Sequence, residues 1–181
     1  MGKTQEPKPA KLFMSLIASQ DDTPRQGIED LRLDFGEIEW MSERLPFDFT
    51  HYYTPEMGGN LLRRFITFER LISREALAEI KLATNRLEEK YAASDGNRRL
   101  NIDPGYVCLE HVILATTKGY SHRPYLRDGI YADLTLIYRN KSFQPLEWTY
   151  PDYRQEMVIH LFNQFRKKYL EDLKRGEHHP C

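Results

Sequence analysis

Apolar residues along the chain fall into runs whose spacing predicts alternating strands and helices. The continuous apolar run at 11–18, K-L-F-M-S-L-I-A, is typical of a buried central strand. Ile28, Leu31 and Phe35 follow at helical spacing and predict a helix that ends at Gly36. Candidate caps and a first-turn proline precede this helix: Asp21, Asp22, Thr23 and Pro24.

The middle of the chain predicts two further strands and a second helix. Residues 37–45 and 61–72 are strand-like, and the irregular segment 46–60 between them has a length typical of functional or flexible loops. Ser73 then precedes a helix with one apolar stripe, which we expect it to cap. The stripe consists of Leu77, Ile80, Thr84, Leu87 and Tyr91.

Strand-like runs return after this helix. We expect a short strand at 98–102, a reversal at Asp103-Pro104-Gly105, and a long strand at 106–117. A polar loop at 118–128 leads to a cleanly alternating strand at 130–138. One face of that strand would carry Ile130, Ala132, Leu134, Leu136 and Tyr138, and the other Tyr131, Asp133, Thr135 and Ile137.

The chain closes with a strand at 143–148 and a helix that starts near Pro151. The order of elements predicts an α+β fold with a single, mainly antiparallel sheet and its helices on one side. The first six elements match a ferredoxin-like βαββαβ portion, to which a hairpin and a C-terminal helix are added. We expect a flexible lead-in at 1–10, one globular domain at 11–175 and a frayed tail at 176–181.

Composition narrows the class of protein. A chain of 181 residues with 40% hydrophobic and 29% charged residues is typical of one soluble domain. The formal net charge is -1, so the chain lacks the excess of basic residues that is typical of a DNA-binding protein. No apolar run is long enough to span a membrane. The two cysteines form no CxxC pair, which favours a reducing, cytoplasmic location.

The sequence contains no P-loop, G-x-G-x-x-G, H-E-x-x-H or G-x-S-x-G motif. The best candidate for a functional site is instead the polar loop T-T-K-G-Y-S-H-R-P-Y-L-R. Thr117, Lys118 and Arg123 supply a hydroxyl and two cations that would bind a phosphate or carboxylate. His122 is the candidate acid or base near neutral pH. Arg99 would join this pocket from the preceding strand. The alternative is a solvated loop whose charges pair with nearby carboxylates.

Asp133 stands out because it lies in an otherwise apolar strand, where a lone carboxylate is costly to bury. Lys118 or Arg123 would be its ion-pair partner, and Asp133 is also a catalytic candidate. Alternatively, Asp133 would bind Mg²⁺ together with Glu56 or Asp152.

Other polar residues have structural interpretations, with two exceptions. We interpret Asp103 as part of the D-P-G turn, and Asp152 as suited to the positive end of the last helix. His111 is interpreted as a core histidine, because it would share its side of the strand with Val107, Leu109 and Ile113. Glu110 beside it would face the opposite side, so the two would not ligate one metal from the same face. Tyr150 and Tyr153, by contrast, would stack on a base or ring.

Several segments together resemble an uncharacterised bacterial and archaeal family, domain of unknown function 4416. They are N-I-D-P-G-Y, L-A-T-T-K, S-H-R-P-Y-L, G-I-Y-A-D-L-T-L and W-T-Y-P-D-Y, with K-L-F and Y-Y-T-P-E-M-G earlier. The resemblance covers nearly the whole chain. Some family members carry the label GTP-binding protein, which implies a phosphate-bearing ligand, although Asn140-Lys141 is not followed by the usual guanine-nucleotide spacing.

The first hypothesis is therefore binding of a phosphorylated small molecule such as a nucleotide, GTP included, with processing of that ligand as an extension. The alternatives are a non-enzymatic RNA- or protein-interaction module with a tyrosine-rich sheet face, and a Mg²⁺-dependent hydrolase that requires Glu56, Asp133 and Asp152 to converge.

Overall fold

A computed structural model describes residues 2–19 and 25–177 of the chain. The strands are β1 (Ala10–Ser19), β2 (Ile38–Met41), β3 (Leu45–Pro46), β4 (Leu61–Ile72), β5 (Leu100–Val107), β6 (His111–Thr116), β7 (Tyr125–Arg127), β8 (Ile130–Arg139) and β9 (Ser142–Pro145). The helices are α1 (Arg25–Phe35), α2 (Thr54–Met57), α3 (Leu77–Lys90) and α4 (Glu156–Glu177), with a 3-10 turn at Arg74–Ala76 before α3. The predicted caps at 21–24 lie outside the described residues.

All the strands join one nine-stranded sheet in the order β2-β4-β1-β5-β6-β8-β7, with β3 paired to β4 and β9 to β8. Every described pairing is antiparallel. The predicted α+β class with a single, mainly antiparallel sheet is thus confirmed. Strands β2, β4, β1 and β5 are neighbours, joined by α1 and α3. The ferredoxin-like description of this portion stays a prediction.

The helices cover both faces of the sheet, so the prediction that they lie on one side is wrong. Leu12 and Met14 of β1 pack with apolar residues of α1 and α3. Phe13, between them, points to the opposite face and packs with Phe162 and Phe165 of α4. Since successive side chains of a strand alternate in direction, a strand that is buried along almost its whole length, as β1 is, needs a cover on each face.

The Asp103-Pro104-Gly105 segment continues strand β5 instead of reversing the chain, so the predicted turn is wrong. Asp103 pairs with Ser15 of β1 and Gly105 pairs with Phe13. Pro104 is tolerated because β6 pairs only with Gly105–Val107. The side of Pro104 that faces away from β1 therefore has no neighbouring strand that would need a backbone donor. Gly105 is required because an added Cβ would overlap the carbonyl oxygen of Ile113 and lie 2.7 Å from Cζ of Phe13.

The reversal occurs three residues later, at 108–110, so 106–117 is not one long strand. The amide of Cys108 donates to the carbonyl of His111 at 3.0 Å and closes the hairpin between β5 and β6. Glu110 lies in this turn, so strand alternation does not separate it from His111 as predicted.

Strand β8 is also less regular than its sequence predicts. The pairing with β6 shifts register between Val112 and Ile113, which face Leu136 and Leu134. Thr135 is therefore an extra residue, as in a β-bulge. Ile130, Ala132 and Leu134 consequently join a cluster with Leu77 and Ala78 of α3, whereas Leu136 and Tyr138 join the cluster of α4. The prediction that these five residues share one face is wrong.

The last helix begins at Glu156, later than predicted, because residues 151–154 form turns. Asp152 is consequently buried before the helix and forms an ion pair with Arg63, which replaces its predicted role at the helix terminus. Helix α4 continues to Glu177, so the first part of the predicted tail is helical. Residues 178–181 lie outside the described part of the chain.

Candidate functional site

A cleft opens where the sheet divides between β5 and β6. These strands pair only from Gly105 to Val107, against Val112–Leu114, and the first half of β5 pairs with β1 alone. The cavity between the separated ends, α3 and the loop at 47–53 has a volume of about 700 Å³. This volume lies within the roughly 300–1,000 Å³ of small-molecule sites.

Side chains of α3 bond to the open edge of β5 in place of a strand. Lys81 Nζ donates to the carbonyl of Ile102 at 2.9 Å, and Glu88 Oε1 accepts from the Ile102 amide at 2.6 Å. The backbone of Ile102 is therefore satisfied although no strand lies on the side of β5 that faces away from β1. Burial raises the pKa of Glu88 to about 7, and this effect outweighs the attraction of Lys81 at 3.8 Å.

Asp103 projects into the cleft from the opened part of β5. Its carboxylate lies 3.5 Å from Lys81 Nζ and accepts a 2.7 Å hydrogen bond from Asn101 Nδ2. The side chain is nevertheless 31% exposed, so it can accept a hydrogen bond from a ligand. Because D-P-G is typical of a turn, the local sequence does not predict Asp103 as a site residue.

Aromatic side chains form another wall of the cleft. The ring centres of Phe47 and Tyr53 lie 5.9 Å apart. Burial raises the pKa values of Tyr53 and Tyr150 above the ordinary value for tyrosine. Tyr153 is buried below them, and its hydroxyl has no hydrogen-bond partner among the described residues. Nε of Arg63, another buried lining residue, is also unpartnered within that part of the chain. These two atoms are exceptions, because most buried polar side-chain atoms have a hydrogen-bond partner.

Lys118 differs from the other cations of the cleft. Arg63 pairs with Asp152, and Arg98 pairs with Glu56 at 2.5 Å. Lys118 Nζ instead lies 3.7 Å from the centre of the Tyr52 ring, and no carboxylate pairs with it among the described residues. The neighbouring Lys118 ammonium lowers the pKa of the Tyr52 phenol.

Arg123 lies behind the cleft and holds its wall together. Its guanidinium donates to Asp133 at 2.7 Å, to the carbonyl of Lys118 at 3.1 Å and to the Tyr150 hydroxyl at 2.6 Å. The partner that the sequence predicts for buried Asp133 is therefore present. His122 stacks on Trp148 with ring centres 5.0 Å apart, and its Nε2 is 3.9 Å from Asp133.

The structure brings only part of the predicted site together. The predicted residues that line the cleft are Thr117, Lys118, Asp133, Tyr150, Asp152 and Tyr153. Those that are not among its lining residues are Glu56, Arg99, His122 and Arg123. Arg98 takes the inward position that the sequence analysis gave to Arg99, because β5 begins only at Leu100.

The three carboxylates of the predicted Mg²⁺ site do not form a group of metal ligands among the described residues. Glu56, Asp133 and Asp152 each pair with a different arginine. The pairing with Arg98 also lowers the pKa of Glu56. As arranged, these carboxylates act as ion-pair partners.

Sequence reasoning also missed the residues that α3 contributes. Lys81 and Glu88 are seven positions apart, which places them on one side of the helix beside the apolar stripe. This spacing was a usable signal. Its meaning depends on the open edge of β5, which local sequence does not reveal.

Comparison with known proteins finds a family but no characterised relative. A family model described as "Domain of unknown function (DUF4416)" matches residues 8–169. No curated protein and no solved structure matches the chain. Among the described residues, no helix has the length and apolar character needed to cross a membrane.

Proposed function

The chain belongs to the DUF4416 family, and we propose that its cleft binds a phosphorylated small molecule that carries a planar ring, as nucleotides do. The cleft combines a cation, aromatic faces and a partly exposed carboxylate in a cavity of about 700 Å³. Such a mixture of apolar walls with a few oriented polar groups is typical of small-molecule sites.

The observation that carries this proposal is the state of Lys118. This ammonium group faces the cleft and contacts an aromatic ring, whereas Arg63 and Arg98 are each neutralised by a carboxylate. An anionic group of a ligand would supply the missing partner, and hydrogen bonds between charged groups are stronger than those between neutral ones. Thr117 adds a hydroxyl on the same lining.

The remaining walls fit a ring with hydrogen-bond donors. Tyr150 and Tyr53 present aromatic surface, and Arg123 fixes the hydroxyl of Tyr150. Asp103 lies between these walls and Lys81, where its carboxylate accepts donors from the ring edge. We therefore expect the ligand to place its phosphate at Lys118 and its ring toward Asp103, because this orientation matches the anion with the cation and the ring donors with the carboxylate.

The proposal concerns binding. His122, the acid–base candidate of the sequence analysis, is not among the lining residues of the cleft. The cleft has its own group that titrates near neutral pH, since burial raises the pKa of Glu88 to about 7. Any proton transfer to a bound ligand is therefore assigned to Glu88 or to its neighbour Asp103.

Thermal-shift measurement and calorimetry with ATP, GTP and smaller phosphorylated metabolites, with and without Mg²⁺, test the proposal. We expect at least one ligand to bind. Lys118→Ala should weaken that ligand by about tenfold or more, because a hydrogen bond to a charged group contributes about 1.5–3 kcal/mol. Lys167→Ala is the matched control, since Lys167 is exposed on α4 and outside the cleft.

Two outcomes would contradict the proposal. One is the absence of binding by every ligand of the panel, and the other is equal affinity of wild type and Lys118→Ala. The interaction-module alternative depends instead on exposed aromatic residues outside the cleft, such as Tyr120 and Tyr125, which are 70% and 59% exposed. RNA binding that Tyr120→Ser or Tyr125→Ser weakens, and that Lys118→Ala leaves unchanged, would favour this alternative.

A further inference from the structure

The turn between β5 and β6 brings together three side chains with different donor atoms. The Sγ atom of Cys108, a carboxylate oxygen of Glu110 and a ring nitrogen of His111 all lie within 4.8 Å of one another. We propose that this turn is a binding site for a divalent transition-metal ion, zinc above all, with these three residues as ligands. The site is separate from the cleft and does not depend on the function proposed for it.

The backbone of the turn is already fixed. The Cys108 amide donates to the His111 carbonyl at 3.0 Å, and the Tyr138 amide donates to the Glu110 carbonyl at 2.8 Å. Arg166 Nε of α4 donates to the carbonyl of Leu109 at 2.9 Å. The turn is therefore tied to β8 and to α4, and binding an ion requires ordering of side chains only. Such preorganisation favours binding because little conformational entropy is lost.

The donor set selects the kind of ion. A thiolate and an imidazole suit zinc and neighbouring transition metals, whereas Mg²⁺ and Ca²⁺ prefer oxygen ligands. Zinc–ligand bonds of about 2.0–2.3 Å require the donor atoms to close somewhat from their present separation. Glu110 can supply this movement because its side chain is 61% exposed. Three protein ligands leave the fourth tetrahedral position to water.

The neighbouring charges are compatible with an ion. Arg74 Nη2 is 3.7 Å from the Glu110 carboxylate, and this long contact is the ion pair that a metal would replace. His111 is half-buried, and a neutral imidazole binds metals through either ring nitrogen. Cys108 is buried in the apolar cluster beside Tyr106 and Ile113. The thiol must lose its proton when the ion binds, so affinity should rise with pH.

The position of the turn separates this site from the cleft. Asp103 lies five residues before Cys108 along an extended strand, a distance of about 17 Å at roughly 3.3 Å per residue. An ion at the turn therefore makes no direct contact with a ligand at Asp103 or Lys118. It would clamp the hairpin at its closed end, opposite the part where β5 and β6 separate.

Titration with Co²⁺ and Zn²⁺ tests the proposal, on protein without an affinity tag and in a Cys181→Ser background that leaves Cys108 as the sole cysteine. We expect binding of one ion per chain and, with Co²⁺, the near-ultraviolet absorption band of a cobalt–thiolate bond. Cys108→Ser should abolish that band. Glu110→Gln and His111→Gln should each weaken binding by about tenfold or more. His160→Gln, on the exposed side of α4, is the control and should change neither readout.

Absence of one-to-one binding, or unchanged affinity in both Cys108→Ser and His111→Gln, would overturn the proposal. If Cys108→Ser fails to fold, Glu110→Gln and His111→Gln decide the question, since both side chains reach the surface. Loss of affinity in His160→Gln equal to that in His111→Gln would show surface histidine binding instead. None of these outcomes affects the expected binding of nucleotides in the cleft or its dependence on Lys118.

Discussion

Gly105→Ala provides a severe test of how β1, β5 and β6 fit together. The added methyl group would overlap the Ile113 carbonyl oxygen on one side and contact the Phe13 ring at 2.7 Å on the other. To reach the 3.4 Å of an ordinary contact, the ring must withdraw by about 0.7 Å. The carbonyl belongs to the backbone of β6, so it moves only if the hairpin opens.

The cost follows from those two displacements. Opening the hairpin weakens the short ladder in which Gly105, Tyr106 and Val107 pair with β6, and each weakened hydrogen bond costs about 1 kcal/mol. A rotated Phe13 ring costs about 1 kcal/mol more. The lower entropy of unfolded alanine returns at most about 1 kcal/mol. We therefore expect a loss of about 2–3 kcal/mol in the free energy of unfolding, which for this chain length corresponds to a fall in Tm of roughly 4–12 °C.

Urea unfolding followed by far-ultraviolet circular dichroism measures this loss. Gly59→Ala is the matched control, because nothing lies within 4 Å of a Cβ built at Gly59, and it should change the free energy of unfolding by less than about 0.5 kcal/mol. If Gly105→Ala were as stable as Gly59→Ala, the close approach of β5 and β6 would be refuted.

Three further predictions concern charged groups. Burial raises the pKa of Glu88 to about 7, so the folded state binds more protons than the unfolded state between about pH 4.5 and 7. The free energy of unfolding should therefore fall by about 3 kcal/mol as the pH rises through this window. Urea unfolding of Glu88→Gln should not show this fall. Arg123→Met should cost about 3–5 kcal/mol, since it leaves the carboxylate of Asp133 buried and unpaired, and thermal unfolding should show partial recovery when Asp133→Asn is added. Lys118→Ala should raise the lowered pKa of the Tyr52 phenol, and an unchanged ultraviolet titration would contradict the contact between them.

Periodicity in the sequence predicted the elements that depend on local pattern. The apolar run at 11–18, the strand at 61–72 and the helical stripe from Leu77 are all present. The D-P-G segment was wrong because the pairing of β5 with β1 overrides the local preference for a turn. The bulge at Thr135 and the position of α4 also depend on contacts between distant segments, which spacing alone does not reveal.

The candidate site was predicted in part for the same reason. Lys118, Asp133 and Tyr150 were found because each is a polar or amphipathic residue in an unexpected local setting. Arg123 was expected to hold a ligand or to pair with Asp133, and the loop folds back so that its guanidinium contacts both Asp133 and Tyr150. This arrangement arises from the path of the loop, and the residue types alone do not define that path.

The bonding of Ile102 to α3 has a consequence for motion in the cleft. Its amide donates to the Glu88 side chain, and its carbonyl accepts from Lys81. Exchange of this amide hydrogen with solvent deuterium therefore requires only a rotation of Glu88, whereas amides bonded to another strand exchange when that pairing breaks. The hydrogen-exchange rate of the Ile102 amide therefore reports on the cleft. A ligand that fixes Glu88 slows the exchange of this amide without any change in the sheet.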